Sequence, residues 1–261
     1  GVGRESCLPK TAWASDLAHF KTFFSSPRFM LLLTNTLSVS VYSIIVGFPI
    51  PIILALLFNY VQYPWFKKFA QTVSYAPHFI STVVLVGMLS MFFSTTTGFV
   101  NTAIAALGFN KIHFFGEPQY FRHLYVWSGV WQNMGWSAVI YIATLSGVDP
   151  QQHEAARIDG ATILQRMWHI DLPALAPTIV ILLIMQAGSI MSVGYEKVYL
   201  MQNSTNITTS EVISTYTYKI GLENAQFSYS AAIGLFNNVI NFIMLVVVNT
   251  LTKKLSGMAL W

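Results

Sequence analysis

Apolar residues run along this chain in five long stretches that contain no Asp, Glu, Lys or Arg: 29–66, 69–110, 123–148, 172–195 and 224–252. About 20 residues of apolar helix cross a hydrocarbon core of roughly 30 Å, so each stretch is long enough to span a bilayer. A charge at the centre of such a span costs at least about 2.5–3.5 kcal/mol on insertion scales, and the charges here gather between the stretches. Membrane β-strands alternate apolar and polar residues over about ten positions. These runs do not alternate, and helices satisfy their own backbone in lipid. The pattern predicts an all-α, polytopic membrane bundle with five spans, at about 30–58, 69–93, 122–147, 173–194 and 229–251.

Composition agrees. The chain of 261 residues is 54 % hydrophobic and 9 % charged, against about 25 % charged in soluble domains, and its mean hydropathy is +0.55. The single Cys7 excludes an internal disulfide and a cysteine metal cluster. A net charge of +4, with no basic face interleaved with aromatics, points to no nucleic-acid partner.

Breaks and anchors are visible within the spans. Pro49 and Pro51 in "GFPIPI" each remove a backbone donor and predict a kinked or locally broken first span. Pro77 and His78 lie in the second, where a lone histidine reads as a packed or interfacial residue. Trp13, Leu17, Phe20 and Phe24 recur at helical spacing, as in a helix lying in the membrane interface or packed on protein. Lys67 and Lys68, Arg157 and Arg166, and Lys253 and Lys254 share one face. Their density in short loops marks that face as cytoplasmic, although the raw count of basic residues does not.

The segment "EAARIDGATILQRMWHIDLP", Glu154 to Pro173, interrupts this pattern with five formal charges. Asp149 can cap a short helix, Pro150 suits its first turn and Gly160 can end it. A second helix over about 161–170 carries Ile163, Met167 and Ile170 on one stripe, with Gln165, Arg166 and His169 on other faces, and Pro173 opens the next span. Two short helices joined at a glycine make a knob, and Ala155 and Ala156 let another backbone approach closely. A solvated loop rich in positive charge is the plainer reading of the same residues.

The spacing Glu154-Ala155-Ala156, Gly160, Ile170, Leu172, Pro173 resembles the EAA loop of permease subunits of binding-protein-dependent ABC importers. "NTL" in the first span, "VISTYTYKIGL" in the long outer loop and "YSAAIGLFNNVINF" in the last are similar to the maltose-type sugar permeases, in their LplB-like branch. This resemblance implies the type I importer (MetI-like) fold, usually with six core spans, so a sixth, amino-terminal span is expected before Gly1. It implies an extracytoplasmic or interfacial segment at 1–28, a permease domain at 29–252 with a coupling loop at 148–172, and a cytoplasmic tail at 253–261. In the family the loop docks in a cleft of a cytoplasmic ATPase. Glu154 would be its polar anchor, Ala155 and Ala156 the close-contact surface, Gly160 the turn and Asp159 a structural or secondary contact.

The implied partners are a second homologous permease, two cytoplasmic ATP-binding subunits, an extracytoplasmic solute-binding protein and the bilayer of a bacterial inner membrane. No Walker A sequence is present, so the resemblance places ATP and Mg on the partner ATPase, with no cofactor in this chain and no enzyme activity of its own. A sugar site needs amides, hydroxyls and aromatic faces. Trp131, Gln132, Asn133 and Trp136 in span three, and Gln186, Ser189, Ser192 and Tyr195 after the loop, lie about where maltose-type permeases contact sugar; the same side chains could instead bond helix to helix. Asn237, Asn238 and Asn241 read as such helix glue. A gradient-driven transporter or channel is the alternative, but only Glu196 and Lys197 lie near a span end, leaving little for a proton relay. The lack of cations within the spans argues against a tightly paired anionic site.

Overall fold

The computed structural model describes residues 12–260. The side chains of Trp13 and Leu17 lie outside what is described; Phe23, three residues beyond Phe20, does anchor the first helix. That helix, α1 (Ala12–Ser25), packs on the last one. Phe23 is buried there in edge-on contact with Phe29 and Phe236.

The first span is the broken one that its prolines predict. Helix α2 (Phe29–Gly47) gives way at Phe48 to α3 (Pro49–Tyr60). With no N–H at Pro49 and Pro51, the carbonyls of Ile45 and Gly47 lose their usual helical donors. Together the two helices make 32 residues of apolar rod.

The second span departs from expectation. It is two pieces: α4 (Pro64–Tyr75) continues through a 3₁₀ turn, Ala76–Phe79, and then bends by 100° into α5 (Thr82–Phe92). Pro77 tightens the turn, Ile80 is extended, and Ser81 caps α5 by accepting from the Val84 N–H at 3.4 Å. A short α6 (Phe99–Ala106) leads to α7 (Pro118–Leu145), 28 residues long, which packs against α2, α3 and α4 and forms the central post.

The charged insert begins with α8 (Pro150–Ile158) and turns at Gly160, whose φ of +80° is the left-handed region that glycine enters without steric cost. Then comes α9 (Ile163–Arg166), closed by a capping box between Thr162 and Gln165. Here too the structure corrects the reading: Pro173 does not start a separate helix. A π-turn, Met167–Asp171, joins α9 to α10 (Leu172–Ala187), where the Leu172 N–H reaches the Met167 carbonyl, and the knob and the span become one helix of 25 residues, Ile163–Ala187. A π-bulge just before a proline absorbs the missing donor without ending the rod.

Beyond α10 the chain unwinds and builds a cap at the end of the bundle opposite the knob from α11 (Tyr195–Met201), α12 (Ile207–Ser210), α13 (Ile213–Tyr218) and a π-turn at Lys219–Glu223, before α14 (Phe227–Ser256) returns across. The "NTL" of the first span holds this cap: Asn35 donates to the carbonyls of Thr208 and Glu211, and Thr36 accepts from the Ile213 N–H. Among the described residues no strand occurs. Among the described residues three helices, Phe29–Tyr60, Ile163–Ala187 and Phe227–Leu255, are apolar and long enough to cross a membrane, and the bent pair counts as a fourth where its halves are taken as one span, so that of the five expected spans the third, α7, falls short in apolarity.

Three buried apolar clusters organise the bundle. Two lie toward the cap, one around Phe23, Met191 and Ile233 and one around Val39, Phe121 and Val198. The third, around Ala55, Ala138 and Leu175, lies toward the knob. Outside them Ile45, Leu57, Leu235 and Phe242 are exposed, an outward apolar belt suited to lipid or another membrane chain.

Candidate functional site

Between the outer and inner clusters the facing helices leave a polar trench. On the first span it falls after Val39 and before Ala55, on α7 between Leu124 and Ala138, and on α10 beyond Leu175. Three adjoining cavities of about 160, 420 and 290 Å³ compose it, and Gln186 lines all three. Ser43, Gly47 and Pro51 line it from the broken span, and Gly129, Gln132, Asn133 and Ser137 from α7. The proline break faces the trench, which is where a membrane helix can leave carbonyls without backbone partners.

The expected sugar contacts divide. Gln132, Asn133, Gln186, Ser189 and Ser192 line the trench. Trp131 lines a separate apolar cavity of about 450 Å³ together with Phe92, His123 and Trp127. Trp136 stacks on His78 at 4.8 Å and Tyr195 on Tyr218 at 5.0 Å, so neither ring faces the trench. Several trench groups also hold the fold. Gln132 donates to the Ile80 carbonyl at 2.8 Å, in the break of the second span. Asn133 bonds His78 at 3.0 Å, and Ser192 accepts from Asn241 at 2.8 Å while Asn241 also takes the Met191 N–H. Asn241 is thus the glue expected of it.

Sequence reasoning missed Lys197. It lies outside the spans, in the first turn of α11, yet its side chain reaches back into the trench beside Gln132, Asn133 and Gln186. Its ammonium donates to the Tyr125 carbonyl at 2.9 Å and sits 4.8 Å from the centre of that ring. Burial pushes its pKa down to about 8. No linear signal marks this, because only the unwinding after α10 brings position 197 inward.

At the other end of the α9–α10 rod is the knob. Glu154, Ala155, Asp159 and Gly160 are exposed on it, Ala156 is half-buried, and Ile170 and Leu172 are half-buried at its root beside exposed Pro173. Asp149 caps α8 by accepting from the Gln151 N–H at 2.9 Å. A notch of about 300 Å³ runs between the two short helices, lined by Ala156, Asp159, Gly160 and Arg166 among others. The stripe of Ile163, Met167 and Ile170 is only partly turned inward, with Ile163 exposed. Ile158 is 85 % exposed, Leu164 75 % and Trp168 70 %, an apolar surface on the projecting knob of the kind that marks protein or membrane contact sites.

A buried carboxylate fastens the knob to the bundle. Asp171, in the π-turn, is fully buried. It accepts from the Tyr60 hydroxyl at 2.6 Å, lies 3.4 Å from Asn59 Nδ2, and lies 3.3 Å from His153 Nε2 of α8. Arg166 lies over the Tyr60 ring at 5.4 Å. Asp171 occupies the unspecified position of I-x-L-P, so the motif gave no reason to single it out.

Residues 33–257 match the family described as binding-protein-dependent transport system inner membrane component. The chain is 44 % identical, over 91 % of its length and 74 % of the relative's, to the polygalacturonan/rhamnogalacturonan transport system permease protein YteP of Bacillus subtilis strain 168. It is 40 % identical to protein LplB of the same organism, over 94 % of this chain and 77 % of that one. Among solved structures it is similar to a chain of a bacterial alginate ABC transporter in complex with an alginate pentasaccharide-bound periplasmic protein. That match has a TM-score of 0.89 and 36 % identity, and covers 93 % of this chain and 84 % of the other.

Proposed function

The chain belongs to the binding-protein-dependent transport system inner membrane component family, and from that premise we propose that it is a pathway-forming permease subunit of an ATP-driven importer of oligosaccharides. The sugar class is supported by the two relatives at 44 % and 40 % identity and by the alginate transporter fold. Lacking a Walker A sequence, the chain takes its drive from two cytoplasmic ATP-binding subunits that hold ATP and Mg. It pairs with a second permease and receives sugar from a solute-binding protein outside a bacterial inner membrane, as the alginate transporter is seen with its periplasmic protein.

One observation carries the mechanism: knob and trench share a single helix. The rod Ile163–Ala187 starts in the exposed elbow and ends one residue past Gln186, which lines every part of the trench. At about 1.5 Å per residue, movement imposed at the elbow is delivered across the bilayer to the polar cavity. In this reading Glu154 anchors the elbow in the ATPase, Asp159 is a structural or secondary contact, Ala155 and Ala156 permit close approach, and Gly160 makes the turn. Ile170, Leu172 and Pro173 root the elbow in the span, while exposed Leu164 and Trp168 add apolar contact. Gln132, Asn133, Gln186, Ser189 and Ser192 offer hydrogen bonds to sugar hydroxyls, and Trp131, Trp136 and Tyr195 stand outside the trench as second-tier candidates. A gradient-driven transporter is not favoured.

The test is co-reconstitution of the complete assembly in liposomes. ATP-dependent sugar accumulation that fails with Glu154→Lys or Gly160→Val, together with loss of ATPase association, is the expected result. Accumulation that needs no ATPase overturns the reading.

A further inference from the structure

Lys197 is a half-buried cation at the trench wall with no carboxylate within ion-pair distance among the described residues. Three other cations of this half have side-chain oxygen partners. Arg28 and Lys219 flank Glu211 at 3.6 and 3.5 Å, and Arg122 donates to the Asn35 side chain at 3.0 Å. Lys197 has no Asp or Glu within ion-pair distance among the described residues; its hydrogen bond is to the Tyr125 carbonyl, at 2.9 Å. An ammonium carries three donors, so two remain for whatever enters the cavity. A charge drawn partly out of water without a counter-charge is costly, and a carboxylate entering the cavity would supply the missing partner. The reach is built in: Gly129 faces the ammonium, and a Cβ there would stand 3.2 Å from Nζ.

We propose that Lys197 is the counter-charge for a uronate carboxylate, and therefore that the oligosaccharide passing along this chain is acidic. This rests on the reading of the trench as a sugar pathway and names the sugar class within it. Chemistry around the ammonium fits a uronic acid residue. Gln132, Asn133 and Gln186 line the same cavity and can bond ring hydroxyls while the lysine takes the carboxylate. One lysine, already held by a carbonyl and an aromatic face, selects a charge without trapping it. A pathway needs a site from which its cargo can leave.

The experiment uses the assembled transporter in lipid nanodiscs, without the solute-binding protein, and measures equilibrium binding of two probes. One is trigalacturonate; the other is its carboxyl-reduced counterpart, a neutral galactose trimer of the same linkage. Wild type is expected to favour the acid by about tenfold or more, the worth of one charge-assisted contact. Lys197→Met removes that preference, lowering the acid's affinity at least tenfold more than the neutral trimer's, while Lys197→Arg retains the preference. A preference that survives Lys197→Met, or none in wild type, overturns the proposal. If Lys197→Met weakens both trimers equally in an intact assembly, the lysine merely shapes the cavity, and the proposal is again overturned. Wild type that binds neither trimer overturns the sugar-pathway reading itself.

Discussion

The Tyr60 hydroxyl donates to Asp171 Oδ2 at 2.6 Å, joining the end of the first span to the π-turn at the root of the knob. Because His153 of α8 meets the other carboxylate oxygen at 3.3 Å, three segments converge on one buried side chain, and elbow and bundle are held as one body. Removing the acceptor leaves the half-buried Tyr60, Asn59 and His153 groups without their partner, at up to about 1–3 kcal/mol each where water does not replace it. Asp171→Ala is therefore expected to lower the thermal midpoint of the detergent-solubilised protein and to loosen the ratio of sugar moved to ATP hydrolysed. Tyr60→Phe should lose less, roughly 1–3 kcal/mol. Unchanged stability and unchanged stoichiometry in Asp171→Ala would refute this fastening role.

Gln132 repairs the bend in the second span. The chain is extended at Ile80, so the carbonyl has no helical partner, and Gln132 Nε2 reaches it at 2.8 Å. Side-chain hydrogen bonds in membranes contribute about 0.6 to 2 kcal/mol. Gln132→Leu should cost about that in stability, and amide exchange should quicken in residues 76–84. Gln132→Glu, which keeps an oxygen but lacks the donor, should behave like the leucine variant. A stable protein with unaltered exchange would leave Gln132 as a sugar ligand alone.

The tightest helix approach makes another prediction. A Cβ at Gly135 of α7 would collide with the Ser74 carbonyl of α4, whereas nothing lies within 4 Å of one at Gly87 of α5. Small residues let membrane helices close together, and van der Waals packing drives their association. Gly135→Ala should force α4 from α7 and destabilise the bundle by about 1–3 kcal/mol, as overpacking does, while Gly87→Ala should be silent. Equal thermal midpoints for the two variants would contradict the close approach.

These residues mark where the linear pattern informs and where it stops. Of the five charge-free runs three became helices apolar and long enough to cross a membrane, one the bent pair, and the third, α7, is less apolar than these; the prolines located the break at Phe48, because lipid penalises charge and a missing N–H acts locally. The knob was legible through Asp149, Pro150 and Gly160, whose roles depend on immediate neighbours. The bend at Ile80 was not, since an apolar run has the same composition whether straight or folded back. Nor was the fused rod: Pro173 normally starts a helix, and only the π-turn before it lets α9 and α10 continue. Which candidate residues line the trench was not legible from spacing, as periodicity cannot say which face of α7 meets it, and so Trp131 and Gln132, adjacent in sequence, line different cavities. Asp171 and Lys197 escaped because their partners are remote in the chain.

The charge of Lys197 gives the transporter a pH dependence with opposite signs in two measurements. Burial lowers its pKa from 10.5 to about 8, so it is largely charged at pH 7 and largely neutral at pH 9. The elements packed on α11 bring few competing groups. From α7 comes Tyr125; α5 has none; α13 brings Tyr216 and Tyr218, the latter stacked on Tyr195; and Glu196, the neighbour on α11, is exposed. Binding of trigalacturonate should therefore fall as pH rises through about 8, with the neutral trimer unaffected, since the uronates stay ionised throughout. Stability should move the other way. Between the folded pKa of about 8 and the usual lysine value of 10.5 the unfolded chain binds more protons, so this group's contribution to stability rises with pH over that window. In Lys197→Arg, whose guanidinium does not lose its proton, both trends should flatten. A binding curve for the acid that is flat in wild type, or that falls equally in the arginine variant, would assign the titration to another group.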